Sequence, residues 1–162
     1  MRKKLLPKIA LIVLDSARSD MFGCYGNKEN LLELIKRLKL NNVVTVHGFL
    51  EHPELEKLYN LAHVNMLLSN NNNNTDFEGF GISVLEANLY GVPAIGAKDS
   101  GLEDSIRNHY NGVLVNPNNC KEVIDSLKTI FNNYDNYSIC SKSYAMDNKW
   151  DRKINQYEKY IK

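Results

Sequence analysis

The chain has 162 residues with 20 basic and 19 acidic side chains, and its formal net charge is +1. This length allows one domain with a real core but not two ordinary domains. Balanced charge without long runs of one sign argues against nucleic-acid binding and against more than peripheral membrane association. The three cysteines are widely spaced and form no C-x-x-C pair, so we expect neither a zinc site nor disulfides, and the protein is predicted to be cytoplasmic.

Short apolar runs recur along the chain and predict buried strands. The first, IALIVL, follows Pro7 and Lys8 and is too short for a signal-peptide core or a membrane span. The later runs are NVVTVHG, HVNMLLS, VPAIGA and NGVLVNP. Continuous apolar runs of this length are typical of parallel strands covered by helices on both faces.

Segments with helical spacing lie between these runs. The segment KENLLELIKRLKL places Leu31, Leu34, Ile35 and Leu38 on one stripe, and PELEKLYNLA begins with a proline, which favours a first helical turn. Two more helices are predicted, CKEVIDSLKTIF and a polar one over about residues 149–161, joined by an Asn/Tyr/Ser-rich linker. The alternation predicts an α/β fold with a Rossmann-like parallel sheet and helices on both faces.

The stretch DFEGFGISVLEANLYGVPAIG combines a glycine turn with a helix. Helical spacing from Ile82 and a stop at Gly91 predict a helix over about residues 82–90. The turn EGFG precedes this helix, where small residues let a ligand approach the unpaired N–H groups at the positive end of the helix dipole. This arrangement predicts an anion site suited to a phosphate or diphosphate.

Two glutamates flank this predicted anion site. Glu86, about one turn into the helix, is placed to accept hydrogen bonds from ribose hydroxyls, and Glu78, before the turn, is placed to hold a second sugar. A site that holds phosphates between two hydroxyl-binding carboxylates would fit a nucleotide sugar. Because glycine-rich helix starts and exposed glutamates are common, two glutamates without a functional role remain the alternative. The Asn run at 70–74 is similarly either a polar loop or a lid over a ligand.

The order of three pieces carries a resemblance to a known family. NNVVTVHGFLEHPELEKLYNLAHVNMLLS, FEGFGISVLEANLYGVPAIGAKDSGLEDSI and NGVLVNP follow one another as in the donor-binding half of the family-four retaining glycosyltransferases, which have the two-domain GT-B fold. The resemblance runs from about residue 27 to about residue 131. It implies one half of a GT-B fold without its first strand, since no segment matches that strand.

The resemblance also implies a hexosyltransferase chemistry and a set of residue roles. The reaction would transfer a sugar from a UDP, GDP or similar donor to an unknown acceptor, with retention and without a cofactor or bound metal. Glu78 matches a glutamate that contacts the transferred sugar and is the predicted catalytic residue, and Glu86 matches a ribose-binding glutamate. The other predicted substrate-binding residues match the loop that meets the diphosphate and sugar: Gly79, Phe80, Gly81 and Ile82.

A second resemblance covers only the start of the chain. PKIALIVLDSARSDMFGCYGN is similar to the opening of sulfatases, with Asp15 matching a metal-binding aspartate. One carboxylate is too few for a catalytic divalent ion, and no C-x-P-x-R motif follows. We therefore predict a strand and loop of uncertain origin at 1–27, a nucleotide-sugar-binding domain at 28–131, and a linker with a C-terminal helix at 132–162.

The resemblance leaves an acceptor-binding half unaccounted for. The donor domain is expected to be incomplete as a lone chain, because the family binds its acceptor on a separate half. The alternatives are a non-catalytic remnant or a subunit that works beside a partner supplying that half, and, more remotely, a fragment of a sulfatase-like hydrolase.

Overall fold

The computed structural model describes residues 10–12, 31–47, 50–68 and 79–154. The strands are β1 (Ala10–Ile12), β2 (Val64–Leu67), β3 (Ala94–Ala97) and β4 (Gly112–Val115). The helices are α1 (Leu31–Arg37), α2 (His52–Leu61), α3 (Ile82–Leu89), α4 (Leu102–Ser105), α5 (Cys120–Asn132) and α6 (Tyr134–Asp147). Residues 150–154 are also helical.

The four strands form one parallel sheet in the order β1-β2-β3-β4. Every residue of β2 and β3 is buried, as the continuous apolar runs predicted. One face packs against α5 and α6 through Ile130 and Tyr137, and the other packs against α3 and α4 through Val84 and Leu102. The predicted parallel sheet with helices on both faces is therefore confirmed.

Most of the predicted helices form where the spacing placed them. In α1, Ile35 from the predicted stripe is buried, while Leu38 is exposed beyond the helix end. Helix α2 has a proline in its first turn, and α3 ends at the residue before the cap Tyr90, with Gly91 left-handed at φ 74°. Backbone and side-chain signals agree at these positions, which is why the bounds were predictable.

The predicted strand NVVTVHG does not form within the described residues 42–47. The N–H groups of Val43 and Val44 donate to the carbonyl of Leu40 in a turn after α1, and Val43 is 76% exposed. A strand requires a neighbour for its N–H and C=O groups, and within the described residues these valines pair with no strand of the sheet. β-branched composition alone is therefore insufficient to form a strand here.

The predicted linker after α5 is instead the helix α6. Its buried face is built from Tyr137, Ser138, Ser141 and Ala145, spaced by one helical turn. This face packs closely on the end of α3, since a Cβ added to Gly91 would lie 2.6 Å from the Ser138 hydroxyl oxygen. The prediction failed because, apart from Tyr137, this face is made of small residues, whereas the expected signal was a stripe of large apolar ones.

The sheet also has a strand where the family resemblance supplied none. Strand β1 comes from the N-terminal segment, and Ala10, Leu11 and Ile12 pair in parallel with Val64, Asn65 and Met66 of β2. The backbone of β2 thus has neighbours on both sides. Among the described residues, no helix is both long and apolar enough to span a bilayer.

Substitution of Ser141 tests whether this segment is a packed helix. Ser141 is fully buried and its hydroxyl donates to the carbonyl of Asn111 at 3.2 Å. We expect Ser141→Leu to lower the free energy of unfolding by about 2 to 3 kcal/mol through overpacking and a lost hydrogen bond, measured by urea denaturation. The exposed Ser143→Leu on the same helix is the control and should change it by less than about 0.5 kcal/mol. Equal, small effects of both changes would contradict the packing of α6.

Candidate functional site

The predicted glycine turn lies at the carboxyl end of β2. Gly81 caps the N-terminus of α3 in the left-handed conformation, at φ 74° and ψ 62°. A Cβ at this position would lie 3.5 Å from Leu67, the last residue of β2. Carboxyl ends of parallel strands are where open α/β sheets bind ligands. The turn is therefore at the edge of the sheet where a ligand site is expected.

The other predicted loop residues surround this turn. Gly79 is exposed with open space around its Cα, and Phe80 is half-buried. Ile82, the first residue of α3, is 67% exposed, so its side chain lies on the surface beside the turn. The first N–H groups of a helix have no acceptor in a preceding turn and can bind an anion. The structure thus brings four of the predicted residues together around one helix N-terminus.

Asn65 attaches the first turn of α3 to the sheet. This residue is fully buried on β2, and its side-chain amide donates to the carbonyl of Ser83 at 3.1 Å. Within the described residues, Asn65 Oδ1 and the Ser83 hydroxyl form no hydrogen bond. Asn65 was not among the predicted site residues, although a single asparagine inside the apolar run HVNMLLS was an available signal. Its hydrogen bond helps to fix the position of the glycine turn.

Glu86 lies on the same helix as the turn but faces α2. It is the fifth residue of α3 and is half-buried. Its Oε2 atom accepts a hydrogen bond from the hydroxyl of Tyr59 at 3.2 Å. Five residues separate it from Gly81, which corresponds to about 7.5 Å along the helix axis. The predicted anion site and the carboxylate are therefore held on one helix.

Some predicted residues lie outside the part of the chain that the structure describes. These are Glu78, the predicted catalytic residue, Asp15 of the sulfatase-like segment, and the Asn run at 70–74. The pairing of Glu78 with Glu86 stays a prediction, as does the division into domains at residues 27 and 131.

A buried asparagine network supports α3 from its far end. The Asn111 side-chain amide donates to Asn88 Oδ1 at 2.7 Å and to the Ser105 carbonyl at 2.9 Å, and Asn111 Oδ1 accepts from the N–H of Arg107 at 2.7 Å. Asn88 in turn donates to the carbonyl of Val92 at 2.9 Å. These asparagines were also missed from the sequence. They join α3, the end of α4 and the start of β4 into one unit.

A depression in the surface lies between β4 and α5. Its volume is about 230 Å³, and Lys98, His109 and Glu122 are among its lining residues. Lys98 and Glu122 form an ion pair, and the hydrogen bond from Lys98 lowers the pKa of the Glu122 carboxyl. Within the described ranges, no group of three or more His, Cys, Asp or Glu side chains is placed to hold a metal ion. This depression is not the site that the sequence predicted.

Comparison with solved structures identifies the fold. HepE from Anabaena in complex with UDP-glucose is 25% identical with a TM-score of 0.60, and the match covers 75% of this chain and 32% of HepE. The C-terminal domain of a group 1 glycosyl transferase, LpcC from Francisella tularensis, has a TM-score of 0.60 at 18% identity, over 81% of this chain and 65% of that domain. The α/β fold is thus that of one half of a GT-B glycosyltransferase.

Comparison with known sequences finds similarity to glycosyltransferases. An uncharacterized glycosyltransferase of Methanocaldococcus jannaschii is 27% identical over 97% of this chain and 36% of its own length. The GtfA subunit of a UDP-N-acetylglucosamine–peptide N-acetylglucosaminyltransferase from Streptococcus agalactiae is 29% identical over 80% of this chain and 25% of its own length. The chain therefore spans about a third or less of these relatives.

The family model described as glycosyl transferases group 1 matches residues 1–145. The match includes the N-terminal segment that pairs with β2 as well as the glycine turn and α3. The chain belongs to the group 1 glycosyl transferases.

Proposed function

We propose that this chain is the donor-binding domain of a retaining glycosyltransferase and binds a nucleoside diphosphate sugar at the N-terminus of α3. The observation that carries the proposal is the left-handed Gly81 at the head of the helix that also bears Glu86. A left-handed cap lets the chain turn sharply into the helix without a Cβ in the way. The diphosphate would bind at the N–H groups of the first turn.

The distance between the glycine turn and the Glu86 carboxylate fits the order of diphosphate and ribose in a nucleoside diphosphate sugar. A ribose is joined to the diphosphate through its 5′ carbon, so its 2′ and 3′ hydroxyls lie a few bonds beyond the phosphates. Glu86 lies about 7.5 Å along the axis from Gly81, a separation that suits a carboxylate bound to hydroxyls rather than one beside phosphate charge. A carboxylate accepts strong hydrogen bonds from hydroxyls. The transferred sugar would then lie towards Glu78.

The relatives support a uridine nucleotide as the first donor to test. HepE was solved with UDP-glucose, and the GtfA relative is named for a reaction with UDP-N-acetylglucosamine. Stabilising negative charge on the leaving diphosphate would be the main chemical contribution of this domain. Retention, independence from metal ions and a cytoplasmic location are parts of the same proposal.

Transfer itself requires an acceptor-binding half. The chain spans 32% of HepE, so about two thirds of that protein has no counterpart in these residues. We propose that the acceptor half belongs either to a longer form of this protein or to a partner. The residues 1–162 alone should therefore bind a donor weakly and transfer little or no sugar.

Calorimetric titration with UDP, GDP, UDP-glucose and UDP-N-acetylglucosamine tests this proposal. We expect saturable binding of at least one uridine or guanine nucleotide, with a Kd that EDTA leaves unchanged. Glu86→Gln should weaken binding by about tenfold, because one acceptor for the ribose is replaced by an uncharged amide. The matched control Glu33→Gln, on the exposed face of α1, should leave the Kd unchanged.

Two outcomes would contradict the proposal. One is a folded wild-type sample that binds none of these nucleotides. The other is binding that Glu33→Gln and Glu86→Gln weaken equally, since this would place the ligand away from α3.

A further inference from the structure

The interface between α2 and α3 contains two tyrosine–glutamate pairs that cross it in opposite directions. Tyr59 of α2 donates to Glu86 of α3, at 3.2 Å from its Oε2 atom. At the end of α3, the hydrogen bond to Glu56 of α2 is the main cause that raises the pKa of the Tyr90 phenol. Each helix thus contributes one tyrosine and one carboxylate to the interface.

The ring of Tyr59 is fixed on several sides. It is 3% exposed, and it stacks on the ring of Tyr90 with centroids 5.6 Å apart and an interplanar angle of 22°. It belongs to a small buried cluster with Ala87 and Val92, which lie on α3 and just before β3. A stacked and buried ring has few rotamers, so its hydroxyl is a donor at a well-defined position.

The side chain of Glu86 is less constrained than the ring of Tyr59. This side chain is long and only half-buried, so holding it in one rotamer costs conformational entropy. The Tyr59 hydroxyl holds one carboxylate oxygen, Oε2. The other oxygen, Oε1, takes no part in this hydrogen bond.

We infer that Tyr59 is a positioning residue: its hydroxyl orients the Glu86 carboxylate so that Oε1 faces the ribose hydroxyls of the donor. The inference rests on the proposed function, because Glu86 is the proposed ribose ligand. The conformational entropy of the Glu86 side chain is lost on folding rather than on ligand binding. The affinity for ligands that carry ribose hydroxyls is therefore higher. A ligand without those hydroxyls gains nothing from this orientation.

The two tyrosines provide a matched pair of variants. Tyr59→Phe keeps the buried ring and its stacking but removes the hydroxyl that contacts Glu86. Tyr90→Phe removes a hydroxyl from the same ring stack, one whose pKa is raised chiefly by Glu56 rather than by Glu86. Both variants should remain folded because neither leaves a cavity.

The test measures the Kd of each variant for UDP and for 2′,3′-dideoxy-UDP, or for the guanine equivalents if the wild type selects guanine. Tyr59→Phe should weaken binding of UDP by about fivefold and leave the Kd of the dideoxy nucleotide unchanged. Tyr90→Phe should leave the ratio of the two Kd values as in the wild type. In Glu86→Gln, the further change Tyr59→Phe should have little additional effect on that ratio, since the two residues act as one unit.

Results of three kinds would overturn the inference. Equal weakening of both nucleotides by Tyr59→Phe would show a structural role only. No weakening of either nucleotide, or the same change of ratio in Tyr90→Phe, would show that the hydroxyl of Tyr59 does not orient Glu86. A folded wild type that binds no nucleotide would overturn the proposed function and this inference together, whereas the first two results leave the proposed function intact.

Discussion

Gly81→Ala is expected to lower the free energy of unfolding by about 2 kcal/mol and to weaken nucleotide binding. The glycine has φ 74°, where an L side chain is strained. Its added Cβ would overlap Leu102 Cδ2, and Leu102 is fully buried, so it has little room to move. Urea denaturation measures the first effect, and calorimetric titration of the folded variant measures the second.

Gly79→Ala is the matched control for this change. Gly79 is two residues earlier in the same turn, has no positive φ, and has no atom within 4 Å of an added Cβ. The change should alter the free energy of unfolding by less than about 0.5 kcal/mol. If Gly81→Ala changed the free energy of unfolding as little as Gly79→Ala does, the left-handed cap would not be needed at the head of α3.

Asn111→Ala is expected to be the more destabilising change, at about 3 kcal/mol. The truncation removes three hydrogen bonds at once, leaving the Ser105 carbonyl, the Arg107 N–H and Asn88 Oδ1 without this partner. Buried polar groups that lose a partner incur their full desolvation penalty. Urea denaturation followed by circular dichroism gives the free energy of unfolding.

Asn60→Ala provides the comparison for Asn111. Asn60 is exposed on α2, and its side-chain amide donates to the carbonyl of Glu56 in its own helix at 2.9 Å. We expect a change within about 0.5 kcal/mol, because solvent replaces this bond. Similar losses of unfolding free energy in both variants would show that the buried network around Asn111 stabilises the fold no more than an exposed hydrogen bond does.

The fold could be predicted wherever the same residue pattern indicated both a helix or strand and its burial in the core. The runs HVNMLLS, VPAIGA and NGVLVNP form β2, β3 and β4, and the glycine after α3 adopts the left-handed stop that was expected of it. These predictions depend on local backbone preferences and continuous apolarity, which a single sequence displays directly. The parallel arrangement then follows from the alternation of strands and helices.

The failures have two physical causes. The valines at 43–46 have strand propensity, but a strand forms only when its backbone pairs with a neighbouring strand. That pairing depends on the arrangement of the whole sheet and not on local composition. Helix α6 buries a face of Tyr137, Ser138, Ser141 and Ala145, which contains no leucine stripe because α3 approaches it too closely for large side chains. Close packing with small residues gives no hydrophobic periodicity, so the segment resembled a linker.

The site was predicted in part for similar reasons. The glycine turn and Glu86 were predicted because glycine before a helix and a polar residue within it are visible in one stretch. Tyr59, Asn65 and Asn111 were missed because their roles depend on contacts across 27, 18 and 23 residues of sequence. A polar residue inside an apolar run was the available signal for Asn65.

The most direct test of the donor-site assignment is a backbone amide nuclear magnetic resonance spectrum of the isotope-labelled chain, titrated with UDP. Amide protons that bind a diphosphate shift strongly, because charged acceptors form strong hydrogen bonds. If the diphosphate binds at the glycine turn, we expect the largest shifts at the amides of Gly81, Ile82 and Ser83. Shifts concentrated instead around Lys98, His109 and Glu122, with the amides of residues 81–83 unchanged, would contradict the assignment.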